Sequence, residues 1–140
     1  MFTSIGSRSA SAYQRVSLDT GVSTASPHQL INMLFDGLLQ AIGTARVALS
    51  RGDIALKGQK VNQAVRILEE GLKPALDLEK GGDLAVNLKG LYGYCVLSLT
   101  QANLQNDDKA MADVIRVIEP LAQGWKEIGS QVSTEKSQAL

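Results

Sequence analysis

Apolar residues recur at intervals of three and four along four separate stretches of this chain, and each stretch is bounded by residues that start or stop helices. At about 100° per residue that spacing gathers each set on one side of a helix, whereas a half-buried strand would alternate every second residue. Four such helices joined by short connections pack most simply as an antiparallel up-down four-helix bundle, preceded here by a short N-terminal arm or helix. The expected fold is therefore all-α, with an arm over residues 1–25, a bundle over 26–129 and a flexible tail over 130–140.

The first helix has the clearest start. Ser26 is a good N-cap, Pro27 at the first helical position loses no needed donor, and Gln29 can reach back to the Ser26 amide to complete a capping box. Ala25 and Leu30 occupy the positions of a hydrophobic staple. Two adjacent apolar rows, Leu30, Leu34, Leu38, Ala41, Ala45 and Ile31, Phe35, Leu39, Ile42, predict a helix to about Ser50 that touches at least two neighbours, with Gly52 as its stop. Gly37 and Gly43 are expected to permit close helix approach. Asp53 caps the second helix, whose core row is Ile54, Val61, Ala64, Val65, Leu68, Leu72 and Leu76. Pro74 predicts a kink or an early stop before Leu78, because an interior proline loses a hydrogen bond and clashes with the preceding turn.

Gly81-Gly82 breaks the chain and Asp83 is expected to cap a third helix. Its apolar face is Leu84, Ala85, Leu88, Leu91, Tyr92, Cys95, Leu99 and Ala102. Asn106-Asp107-Asp108 supplies the next stop and cap, and the fourth helix carries Met111, Val114, Ile115, Ile118, Leu121, Ala122, Trp125 and Ile128 up to a stop at Gly129, with a bend at Pro120.

Composition removes several kinds of chemistry. Fourteen basic and fourteen acidic residues cancel, so charge gives no reason to expect nucleic acid or an anionic membrane as the main ligand. No apolar run reaches the roughly 18 to 20 residues of a membrane span, and the N-terminus lacks the pattern of a signal peptide, which predicts a cytoplasmic protein without stable membrane insertion. The single cysteine, Cys95, reads as a small buried hydrophobe, and the single histidine, His28, as a solvated residue of the first helical turn. One His and one Cys cannot build a zinc site of nitrogen and sulfur ligands, a haem attachment motif or a catalytic triad, so no enzyme activity and no cofactor are expected.

What the bundle leaves over is a second apolar row on two helices. Leu56, Ile67 and Leu78 lie some 100° from the core row of the second helix, and Val86, Leu97 and Leu104 fall roughly opposite the core row of the third. The residues before Ser23 are too polar to form a core alone; they are either a loose terminus or an arm that lays Tyr13 and Val16 onto the domain. The six row residues read as a groove for a partner's amphipathic helices, a surface for self-association of a structural bundle, or ordinary exposed apolar residues covered by that arm.

Ala25-Ser26-Pro27-His28-Gln29-Leu30-Ile31 with Met33-Leu34-Phe35-Asp36-Gly37 resembles the first-helix signature of the flagellar export chaperone family FliS. The resemblance continues through Gly52-Asp53, Lys57-Gly58, Gly71-Leu72, Leu76-Asp77, the block from Glu79 to Leu88, Leu91-Tyr92-Gly93-Tyr94, the block from Gln101 to Asp107, and Ala122 to Lys126. Gly93 departs from the acid common between the two tyrosines, and Pro74 and Pro120 are unusual. The resemblance implies a cytoplasmic, non-enzymatic chaperone that binds the disordered C-terminal region of flagellin, prevents premature polymerisation and aids delivery to the flagellar type III export apparatus. It also implies that Tyr13, in an arm able to occupy the flagellin-binding groove, contacts an export gate protein.

Overall fold

The computed structural model describes residues 25–139, with side chains through residue 129. Tyr13, Val16 and the rest of the arm lie outside the described residues. Four α-helices and no strand are found there: α1 (Pro27–Ser50), α2 (Ile54–Arg66) running into a π-helical turn (Ile67–Leu72), α3 (Gly82–Gln105) and α4 (Asp108–Ala139). Each helix packs on its neighbours in sequence, and α4 closes the ring against α1. Cross-contacts fix the directions. Lys57 near the start of α2 bonds Asn103 near the end of α3, while Arg46 late in α1 pairs with Asp108 at the start of α4. The bundle is antiparallel.

The capping box forms as the residue types require, with Gln29 N–H donating to Ser26 Oγ at 3.1 Å and Ser26 N–H donating to Gln29 Oε1 at 2.8 Å. α1 ends where Gly52 takes a φ of +76° and the Asp53 amide turns back to the Ala48 carbonyl at 2.8 Å. Asp53 then caps α2 by accepting from Leu56 N–H. The early stop foreseen at Pro74 occurs, but through a π turn: the last bond is Lys73 N–H to Leu68 O, five residues back, and helical structure ends at Leu72. Asp77 accepts from the Glu79 and Lys80 amides, and the Gly81 amide bonds the Asp77 carbonyl. A Cβ at Gly81 would stand 2.7 Å from that carbonyl, so this break admits no side chain. Asp83 does not cap α3. The cap position falls on Gly81 without a side-chain bond, and Asp83 lies in the first turn, where its charge still suits the helix dipole.

The core is built from Leu34, Phe35, Leu38, Ala41, Ile42 and Ala45 of α1, Val61, Ala64, Leu68 and Leu72 of α2 and its π turn, Tyr92, Cys95, Leu99 and Ala102 of α3, and Met111, Val114, Ile118 and Ala122 of α4. Three residues assigned to core rows are exposed: Ile54, Leu84 and Ile128. Ile54 and Leu84 sit in the first turns of α2 and α3, where the correct angle no longer meets a neighbour, and Ile128 lies three residues beyond Trp125, past the last α4 residue packed on the core. Gly37 seats the Ile67 side chain 3.5 Å from where its Cβ would be, as close approach requires, whereas Gly43 has open space. α4 does not stop at Gly129 and its backbone is helical to Ala139. A glycine costs a helix only about 1 kcal/mol relative to alanine, too little to end it without further breakers. Pro120 is exposed and the helix runs on through it.

Arg46 and Asp108 form a two-pronged pair, Nε to Oδ1 at 2.8 Å and Nη2 to Oδ2 at 3.0 Å. The Arg46 hydrogen bond, reinforced by its charge, holds the Asp108 carboxyl below its ordinary value. A carboxyl depressed in the folded state stabilises the fold above the ordinary carboxylate range, and that contribution is lost as pH falls through the folded value. Both side chains are well exposed, so the pair is worth about 0–1 kcal/mol. Asp108→Asn is expected to lower the melting temperature by a few degrees at neutral pH, and the gap from wild type should close in thermal melts below the carboxylate range. A gap that persists in acid would mean that Asp108 acts through something other than its charge.

Candidate functional site

Most of α3 is apolar on two opposite sides. One side carries the core residues Tyr92, Cys95, Leu99 and Ala102. On the other, Val86, Gly90, Gly93, Leu97 and Leu104 fall within about 60° of one another at the α-helical pitch. Val86 and Leu97 are each 57% exposed and Leu104 is 81% exposed. Gly90 and Gly93 have nothing within 4 Å of where a Cβ would be, so this face is a low saddle with side chains at either end. Between Lys89 and Asp107 no residue is charged. From Val86 to Leu104 the row runs about 27 Å at 1.5 Å per residue. Water gains nothing from this surface, and nothing among the described residues covers it.

The six groove residues foreseen from sequence differ in their surroundings. Val86, Leu97 and Leu104 stand together as expected. Ile67 does not join them: it packs against the core, with its side chain over Gly37 of α1. Leu56, about 20° from Ile67 around the helix, is half-buried. Leu78 is exposed but lies in the turn after Asp77, because the helix has already ended at Leu72. The structure adds Tyr94, 59% exposed at the flank of the α3 row. Sequence reading missed it because a tyrosine next to a core tyrosine carries no mark of which one faces water; its spacing of three from Leu97 was the available signal.

At the other side of the bundle, His28 is not solvated. Its ring stacks on Trp125 with centroids 4.5 Å apart and planes 12° from parallel, and Trp125 Nε1–H donates to the His28 carbonyl at 3.0 Å. A Cβ on Gly129 would overlap the His28 ring, so Gly129 serves as the opening against which the imidazole lies. His28 Nε2 and Asn32 Oδ1 are buried without hydrogen-bond partners among the described residues.

Burial favours the neutral forms of Tyr92 and Cys95. Burial, with a smaller contribution from Cys95, pushes the Tyr92 hydroxyl up to about 12, and burial pushes the Cys95 thiol up to about 11. A thiol so placed is a packing group and a poor nucleophile. Among the described residues no cluster of His, Cys, Asp or Glu is placed to hold a metal ion, and no helix is long and apolar enough to cross a membrane.

Comparison with known proteins points one way. Residues 9–132 match the family model described as flagellar protein FliS. The flagellar secretion chaperone FliS of Salmonella typhimurium is 44% identical over 137 residues, covering 98% of this chain and 99% of that protein. Its counterpart in Escherichia coli is 39% identical over 116 residues, 83% of this chain and 85% of its own. The flagellar secretion chaperone FliSB of Pseudomonas aeruginosa is 41% identical over 113 residues, 81% of this chain and 89% of its own.

Proposed function

The chain belongs to the FliS family of flagellar secretion chaperones, and on that premise we propose that it binds the disordered C-terminal region of flagellin in the cytoplasm. Binding keeps flagellin from polymerising early and brings it to the flagellar type III export apparatus. The observation that carries this reading is the outward face of α3, free of charge between Lys89 and Asp107, with Val86, Tyr94, Leu97 and Leu104 exposed along it. A disordered segment that folds on binding loses chain entropy, and only a long apolar surface offsets that loss. Leu78 and the half-buried Leu56 are candidates for the rim of the same contact. Tyr13 and Val16, within the matched family region, are proposed as the arm that covers the surface when it is empty and contacts the export gate protein. An arm that competes for the surface lowers apparent affinity in proportion to its occupancy.

Titration calorimetry against a flagellin C-terminal segment is expected to show binding with a negative heat-capacity change, the mark of apolar burial. Absence of binding at tens of micromolar would sink the reading. Light scattering on the same samples separates it from a bundle that merely self-associates through these residues. A chaperone forms a hetero-complex at the expense of any self-association, and a structural oligomer is unmoved by flagellin.

A further inference from the structure

Lys57 lies in the first turn of α2, in line with its core row, and is 3% exposed, the one charged residue buried among the described residues. Its ammonium meets no carboxylate among the described residues. It donates instead to the Asn103 carbonyl at 2.8 Å and to Asn103 Oδ1 at 2.6 Å. The partner is chemically specific. α3 ends at Gln105, and the Asn106 and Asp107 amides both turn back onto the Ala102 carbonyl as Asn106 takes a φ of +52°. That closure leaves the Asn103 carbonyl as one of the helix's free acceptors, at the negative end of its dipole. Lys57 reaches across from α2 to fill it.

A buried cation is a poor way to gain stability, because desolvation offsets its attraction and an apolar residue of like volume is often as good or better. The best-attested use of such a group is to fix register between packed elements. We propose that Lys57 is a positioning residue: by clamping the last turn of α3 to the first turn of α2, it holds in place the end of the α3 face that carries Leu104. The inference rests on the proposed function only in naming that face as the partner-binding surface. A methionine at position 57 would fill the same space yet leave α3 free to shift and rotate along apolar neighbours.

Three variants test this: Lys57→Met, Lys57→Arg and Asn103→Ala. Each is followed by thermal melting, by hydrogen exchange at the Asn106 and Asp107 amides, and by titration with a flagellin C-terminal segment. Lys57→Met should melt within a few degrees of wild type, exchange those two amides about tenfold faster and bind the segment about tenfold more weakly. Lys57→Arg, which keeps donors, should recover part of both changes. Asn103→Ala removes Oδ1 alone and should move both readouts the same way by less. A purely structural Lys57 would lower the melting temperature and leave the folded protein's affinity unchanged, and that result overturns the proposal, as does wild-type exchange in a folded Lys57→Met. Should Lys57→Met fail to fold, unchanged exchange and affinity in Asn103→Ala overturn it equally. If the wild type itself does not bind the segment, the proposed function fails while the exchange measurement still decides the clamp.

Discussion

Leu97→Asp is expected to leave the free protein folded, with a melting temperature within a few degrees of wild type, and to weaken binding of the flagellin segment by at least about 100-fold. Leu97 is mostly exposed, so the substitution removes little intramolecular packing, and surface changes away from special features usually fall within about 0.5 kcal/mol. In the complex the same change forfeits about 1.5 to 3 kcal/mol of leucine burial and adds a carboxylate that must lose water against an apolar partner. Each 1.4 kcal/mol is about tenfold in affinity, so both effects together exceed two decades. Leu104→Asp should behave alike. Ile67→Asp should not: it places a charge against the core and should lower stability by several kcal/mol, so weak binding there would report unfolding. Circular dichroism melts beside calorimetry separate the cases. Full affinity in both α3 variants would exclude this face as the contact.

The contrast between Leu97 and Ile67 shows what periodicity can and cannot disclose. Both lie well off their helix's core row, and spacing alone treats them alike. The difference comes from the neighbours. α2 packs between α1 and α3, so its buried arc is wide enough to take in a residue about 100° from its centre, and the glycine that makes room for Ile67 is on another helix. The outward face of α3 has no such neighbour among the described residues. Helix starts were legible wherever a cap is a local exchange between a side chain and an amide a few residues on, as at Ser26 and Asp53. The π turn before Pro74 was not, because proline says that a bond is lost but not how the preceding carbonyls are reused. Lys57 was hidden for a similar reason. A lysine in an apolar row reads as an interruption until the orphaned carbonyl it serves, 46 residues away, comes into view.

Trp125→Ala is expected to cost about 3 kcal/mol of stability, the low end for a tryptophan truncation because the side chain is only partly buried. The loss has three parts: ring burial, the stack on His28 and the indole bond to the His28 carbonyl. These tie the middle of α4 to the first turn of α1, next to the capping box. Trp125→Phe keeps a stacking ring and removes the donor, so it should fall between, losing about 1 kcal/mol for the hydrogen bond and some area. Gly129→Ala decides whether the arrangement is as tight as it looks. In an ordinary exposed helix that change stabilises by about 0.5 to 1 kcal/mol. Here the added methyl meets the His28 ring, and an imidazole held under Trp125 cannot withdraw without giving up its stack. Overpacking costs typically about 1 to 3 kcal/mol, which outweighs the propensity gain and reverses the usual sign. Denaturant melts of Gly129→Ala beside Gly129→Ala/His28→Ala test the cause. The single variant should be less stable than wild type, and the double variant should show the methyl as neutral or favourable against a His28→Ala background. A methyl that destabilises equally with and without the imidazole would place the strain somewhere other than this contact.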